Sequence, residues 1–189
     1  MSTLQMNVTG KRIARLAQNG EILFHTKDLA NIWDIANPNT LRVTLKRYVQ
    51  NKLIYRMYKG FYSLIPPHTL PPLLLGAKAL HRFCYVSTES ILTKEGYINH
   101  IPSHHTFISN KRYTFSVGRH DFLSRQLDKK YLYNNEGIYE ENGVRKATIE
   151  RAIADMIYFC PKYYFDREPD WIKVNDMQKK LGYPLTPSP

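Results

Sequence analysis

The sequence predicts an α+β protein built in two parts, and three observations carry that prediction. Up to residue 65, apolar residues recur at spacings of three and four through three stretches, then shift to short strand-like runs around a glycine. Next, four prolines fall within the seven residues Pro66-Pro67-His68-Thr69-Leu70-Pro71-Pro72, which reads as a stiff extended connector. Beyond it, short β-branched and aromatic runs alternate with capped helical stretches. The expected division is 1–65, connector 66–72, a mixed α+β domain over 73–183, and a frayed proline-bearing tail over 184–189.

In the first part, Gly10 to Gln18 places Ile13, Leu16 and Ala17 on one helical face. Ile22-Leu23-Phe24 reads as a small strand. Thr26 is the expected N-cap of a helix from Lys27 to Ile35, with Leu29, Ile32 and Trp33 on one face and Asp28 in the first turn. Asn37-Pro38-Asn39-Thr40 supplies a turn and a cap for a third helix, Leu41 to Asn51. Leu53 to Met57 and Phe61 to Leu64 read as two strands around Tyr58-Lys59-Gly60, where Gly60 permits the positive φ of a tight hairpin. Three helices followed by a glycine-tipped hairpin imply a winged helix-turn-helix, a module that holds double-stranded DNA.

On a helical wheel of about 100° per residue, Leu41, Leu45, Tyr48 and Val49 of the third helix share one side. Arg42, Val43, Lys46, Arg47 and Gln50 share the other, with Thr40 at the helix entry. Arg suits guanine, Gln suits adenine, and Val suits a thymine methyl. The hairpin adds Arg56, Tyr58 and Lys59, placed for backbone phosphates or the minor groove. These nine residues are the candidate DNA contacts. A solvated charged face and a protein-interaction module are the alternatives for the same residues.

Charge favours the first reading. The net charge is +11 and the sequence pI about 9.6. Residues 1–65 hold 10 Lys and Arg against 3 Asp and Glu, while residues 66–189 hold 17 against 13. The surplus is concentrated in the segment that would face phosphates. A hydrophobic content of 43% argues against disorder. The most apolar stretch, Leu70 to Leu80, contains Pro71, Pro72, Gly76 and Lys78, so neither a membrane span nor an export segment is expected. Two cysteines, Cys84 and Cys160, suit a reducing cytoplasm as buried thiols rather than a disulfide.

In the second part, Leu73 to Phe83 reads as a helix and Cys84 to Ser87 as a strand. Ser87 or Thr88 is expected to cap a helix that reaches Glu95 and ends at Gly96. Strands follow at His105 to Ser109 and Tyr113 to Val117. Gly137 to Tyr139 is expected to pair with Val144 to Ala147 across residues 140–143. Thr148 caps a strongly periodic helix, Ile149 to Phe159, with Ile149, Ala152, Ile153, Met156 and Ile157 inward. Asp170 to Leu181 is a last helix.

No phosphate-cradling glycine loop or nucleophile elbow occurs in the sequence. His100, His104 and His105 cluster without a Cys or carboxylate at ligand spacing, so no metal or other cofactor is expected. Glu150, Arg151 and Asp155 lie on the Thr148 helix, and the Arg151–Asp155 spacing permits an i,i+4 ion pair. Glu150 and Asp155 point in divergent directions on a helix, which favours a structural or interaction role over paired catalytic carboxylates.

Three passages resemble a known family. They are Phe24-His25-Thr26-Lys27-Asp28-Leu29-Ala30 through the hairpin Tyr58-Lys59-Gly60-Phe61-Tyr62; Tyr85-Val86-Ser87-Thr88-Glu89-Ser90-Ile91-Leu92 to Gly96; and Thr148-Ile149-Glu150-Arg151-Ala152-Ile153-Ala154-Asp155. Together they resemble the AbiEi-type antitoxins of type IV toxin–antitoxin (abortive infection) systems. The resemblance implies a cytoplasmic transcriptional repressor that binds inverted repeats in the operator of its own operon. It further implies opposition to a nucleotidyltransferase-type toxin, with Glu150, Arg151 and Asp155 as the antitoxin-domain motif. The expectation is therefore a DNA-binding antitoxin that is not an enzyme. The alternatives are a nucleic-acid-processing enzyme targeted by its winged helix, or a protein-interaction adaptor.

Overall fold

A computed structural model describes residues 3–185, with side chains from residue 8 onward. The α+β class is observed, and the chain divides into two compact units, Met1–Pro71 and Pro72–Pro189. Of the stretch read as a frayed tail, 184–185 has no regular structure and 186–189 lies outside the described residues.

The first unit runs α1 (Thr3–Gln18), β1 (Leu23–His25), α2 (Thr26–Trp33), α3 (Pro38–Gln50), β2 (Tyr55–Tyr58) and β3 (Phe61–Ser63). α1 starts seven residues before the predicted Gly10, and Thr9 and Arg12 tie it to the other helices. The Tyr48 hydroxyl donates to Thr9 Oγ1 at 3.5 Å, and Trp33 Nε1 donates to the Arg12 carbonyl at 3.0 Å. Thr26 is not the cap of α2. His25 occupies that position, its backbone N–H donating to Asp28 Oδ2 at 2.8 Å. The Thr26 hydroxyl and N–H instead donate to the Gly60 carbonyl, at 3.2 and 2.9 Å, tying α2 to the hairpin tip.

α3 starts three residues before the predicted Leu41. Asn37 Oδ1 accepts the N–H groups of Asn39 and Thr40 at 2.9 and 3.2 Å, and Pro38 takes the first helical position, where an N–H has no partner to lose. β3 is the central strand, antiparallel to β1 and β2, with Tyr62 opposite both Phe24 and Arg56. Gly60 turns the β2–β3 hairpin at φ +83°. Beneath lies one core of Leu16, Phe24, Leu29, Trp33, Ile35, Leu41, Leu45, Tyr48, Ile54 and Tyr62. Burying such a side chain fully stabilises the fold by about 1.5–3 kcal/mol.

The proline segment is not extended throughout. Pro67–Thr69 forms one 3₁₀ turn, with the Thr69 N–H and hydroxyl donating to the Pro66 carbonyl at 3.0 and 2.7 Å. A single turn tolerates proline at its start, where no N–H is required.

The second unit holds α4 (Pro72–Leu80), β4 (Cys84–Val86), α5 (Glu89–Leu92), β5 (His105–Ser109), β6 (Tyr113–Val117), β7 (His120–Gln126) and α6 (Lys129–Leu132). It continues with β8 (Ile138–Glu141), β9 (Val144–Ala147), α7 (Ile149–Phe159) and α8 (Trp171–Leu181). The strands form one six-stranded mixed sheet in the order β6-β7-β5-β4-β9-β8. α4 lies close against it: a Cβ on Gly76 would come within 2.5 Å of Phe122 and 2.8 Å of Phe107.

Several elements differ from expectation. β7 and the one-turn α6 carry no clear apolar period, because β7 turns the fully buried Ser124 to Ser109 on β5, hydroxyl to hydroxyl at 2.7 Å. The β8–β9 turn is the pair Asn142-Gly143, both at positive φ, so β8 extends to Glu141. α5 stops at Leu92, and neither expected cap forms: Ser87 points to Asp155, and Thr88 sits at the cap position without a cap hydrogen bond. Cys84 is buried but Cys160, just past α7, is exposed; both are free thiols. No helix among the described residues is long and apolar enough to cross a membrane.

Candidate nucleic-acid interface

α3 has two opposed faces. Leu41, Thr44, Leu45 and Tyr48 are buried against the first unit's core, while Thr40, Arg42, Val43, Lys46 and Gln50 are exposed. Val43 is 65% exposed amid this polar surface, an apolar contact offered to solvent rather than to the core. Arg47 is half-buried: its guanidinium lies 5.7 Å from the Tyr48 ring centre, and its Nε has no hydrogen-bond partner among the described residues. Arg56, Tyr58 and Lys59 are exposed on the hairpin, where Tyr58 leans on Phe61 with ring centres 5.1 Å apart. Arg56 Nε reaches the Tyr58 carbonyl at 3.5 Å, the outer limit of a hydrogen bond.

Sequence periodicity brought six of these nine residues onto α3 and three onto the hairpin; it missed α1. Val8 and Arg12 of α1 line one wall of a groove of about 660 Å³, with Asn39, Thr40, Val43, Thr44 and Arg47 on the other. Arg12 shows no sequence signal of its own, being one cation in a polar helix. The surface so formed is cationic, amide-bearing and locally apolar, the mixture that can contact phosphates and base edges together.

In the second unit, the Arg151–Asp155 pair forms as its spacing predicts, at 3.1 Å, with both side chains fully buried. Thr148 Oγ1 caps α7 by accepting the Arg151 N–H at 3.3 Å. Arg151 Nη1 donates to the carbonyls of Asn134 and Glu136 at 3.0 and 2.9 Å, and Nη2 donates to the Tyr85 hydroxyl at 2.8 Å. Asp155 also accepts the hydroxyls of Tyr85 at 3.1 Å, Ser87 at 2.7 Å and Tyr183 at 2.7 Å. Burial pushes the Asp155 carboxyl upward, while Arg151 and the three hydroxyl donors pull it back. Burial and the Asp155 charge push the Tyr85 and Tyr183 hydroxyls well above their ordinary range, so they stay protonated as donors.

A carboxylate without solvent access and with four donors on its two oxygens has no lone pair to offer a substrate. The arrangement braces the fold. Glu150 stays outside it, half-buried on the neighbouring surface. The sequence hint for the missed partners is slight: Tyr85 on β4 and Ser87 just past it are two residues apart in an extended run and so share a face, whereas nothing marks Tyr183.

No group of three or more His, Cys, Asp or Glu among the described residues could hold a metal ion. His104 pairs with the Ser103 hydroxyl at 2.7 Å, and His105 meets His120 and Phe122 instead of the other histidines of its cluster. No protein-family model matches the chain, and no curated protein matches it.

Proposed function

We propose that the chain is a DNA-binding transcriptional regulator whose first unit works as a winged helix and whose second unit carries an antitoxin role. The observation that carries the reading is the exposed face of α3, where Arg42, Val43, Lys46 and Gln50 stand clear of the core beside the cationic hairpin. α3 enters the major groove, Arg42 and Gln50 reading base edges and Lys46 gripping phosphate. Arg56 and Lys59 lie along the flanking backbone. On the resemblance to AbiEi-type antitoxins, the protein represses its own operon in the cytoplasm and opposes a nucleotidyltransferase-type toxin, with the Arg151–Asp155 brace shaping the antitoxin surface.

The test titrates the full chain with duplex spanning its own promoter at two salt concentrations. Arg42→Ala and Gln50→Ala are expected to relax sequence preference by roughly 1–3 kcal/mol of discrimination each, whereas Lys59→Ala weakens all duplexes alike. Unchanged affinity in the Arg42→Ala, Lys46→Ala double variant would remove α3 from the interface and sink the reading.

A further inference from the structure

The outer end of the six-stranded sheet carries a row of rings that the α3 surface does not involve. β6 is an edge strand, and residues two apart on a strand share a face. Tyr113, Phe115 and Val117 therefore face together, beside their β7 partners Ser124, Phe122 and His120. Tyr113 stacks on Phe115, with ring centres 5.3 Å and planes 15° apart, and Phe115 stacks on Phe122 at 5.1 Å and 22°. The helix α4 covers only the inner end of this row. Phe107 and Phe122 are fully buried next to Gly76, whereas Phe115 is half-buried and Tyr113 is 52% exposed.

Cations stand at both ends of the strand. Lys111 and Arg112 precede β6 and Arg119 follows it, all three exposed. Residues 96–120 contain no Asp or Glu at all. The first carboxylate after them, Asp121, accepts the Ser116 hydroxyl at 2.5 Å, and that pair faces the other side of the sheet. The basic turn is also held in place from within. The fully buried Ser109 and Ser124 hydroxyls lie 3.1 and 3.0 Å from the Lys111 carbonyl and 2.7 Å from each other, so that one donates to the carbonyl and the other to its fellow hydroxyl, and Ser109 Oγ accepts the Lys111 N–H at 3.2 Å. The backbone that carries the first of these cations is thus ordered before any ligand arrives.

From this arrangement we infer that the β6 edge binds single-stranded nucleic acid, with unpaired bases stacked on Tyr113 and Phe115 and phosphates held by Lys111, Arg112 and Arg119. Stacking rings between cations complement a strand whose bases are open and whose backbone is anionic. A duplex keeps its base faces within its own stack and cannot use the rings. A second copy of this chain would bring like charges to the same edge.

The experiment measures fluorescence anisotropy of short labelled oligo(U) and oligo(dT) with the full chain. Both are expected to bind, the tighter one identifying RNA or exposed single-stranded DNA as the source. Tyr113→Ala should weaken binding about five- to a hundredfold, the loss of one base stack, while Tyr113→Trp retains it. Tyr113→Ala should leave the melting temperature and duplex binding unchanged, and Arg42→Ala with Lys46→Ala should leave oligomer binding unchanged, which separates this edge from α3. The inference is overturned if neither oligomer binds, if Tyr113→Ala binds as well as the parent, or if the α3 variants abolish oligomer binding. It is equally overturned if Tyr113→Ala merely dissolves a dimer.

Discussion

Arg151 shows how much one buried charge asks of its surroundings. A guanidinium carries five N–H donors, and here four hydrogen bonds reach a carboxylate, two carbonyls and a phenol. Truncation would leave the fully buried Asp155 carboxylate without its counter-charge, and breaking one side of such a pair costs roughly 3–5 kcal/mol. Arg151→Ala is therefore expected to lower the melting temperature of the second unit by more than about 10 °C, as read by calorimetry. The two thiols differ as sharply. Burial pushes the Cys84 thiol up to about 12, whereas Cys160 is exposed. One equivalent of thiol reagent should react rapidly with native protein and the second only after denaturation; two fast thiols would contradict the packing around β4. His105 brings a pH dependence. Burial, then the neighbouring His120, lowers it from 6.5, so the unfolded chain takes up the proton more readily than the folded one. Stability is full above about pH 6.5 and lost as pH falls below it, and His105→Gln should flatten that part of the melting profile.

Among the elements, α4 and α3 make opposite demands on a single position. Replacing a mid-helix glycine by alanine gains about 1 kcal/mol of helix propensity. At Gly76 the new methyl would meet two buried phenylalanine rings, and overpacking of that kind costs about 1–3 kcal/mol. The clash wins, and Gly76→Ala should destabilise the protein in denaturant melts. At the start of α3, Asn37→Ala removes the acceptor of two N–H groups, a loss of about 1 kcal/mol that should appear in the first unit's stability and in duplex affinity. α7 was legible from end to end, since Thr148, a clean apolar period and a closing aromatic run all agree there. α3 was legible in its faces but not in its first turn, because Pro38 reads equally as a turn residue and as a first helical residue. β7 was illegible: its inward positions include a serine whose burial is explained by the Ser109 hydroxyl and the Lys111 carbonyl. The braced pair was readable as an i,i+4 spacing, but its partners Tyr85, Ser87 and Tyr183 come from distant segments that a linear period cannot join.

For the whole molecule, charge and chain order govern behaviour. If α3 and the hairpin place about four cations on phosphates, duplex affinity should fall roughly a hundredfold between about 50 and 200 mM salt. A flat salt response would reassign the surplus of positive charge to general solubility. The brace around Asp155 also sets a clock on synthesis. Its members run from Tyr85 to Tyr183, so α7 can coil early while Asp155 still lacks one of its four donors until Tyr183 leaves the ribosome. At about 5–20 residues per second, the wait between Pro71 and Tyr183 is on the order of 6–22 s. During that interval the nascent first unit can already be complete while its successor waits for the Tyr183 hydroxyl, and a stop codon placed just before Tyr183 would make the wait permanent.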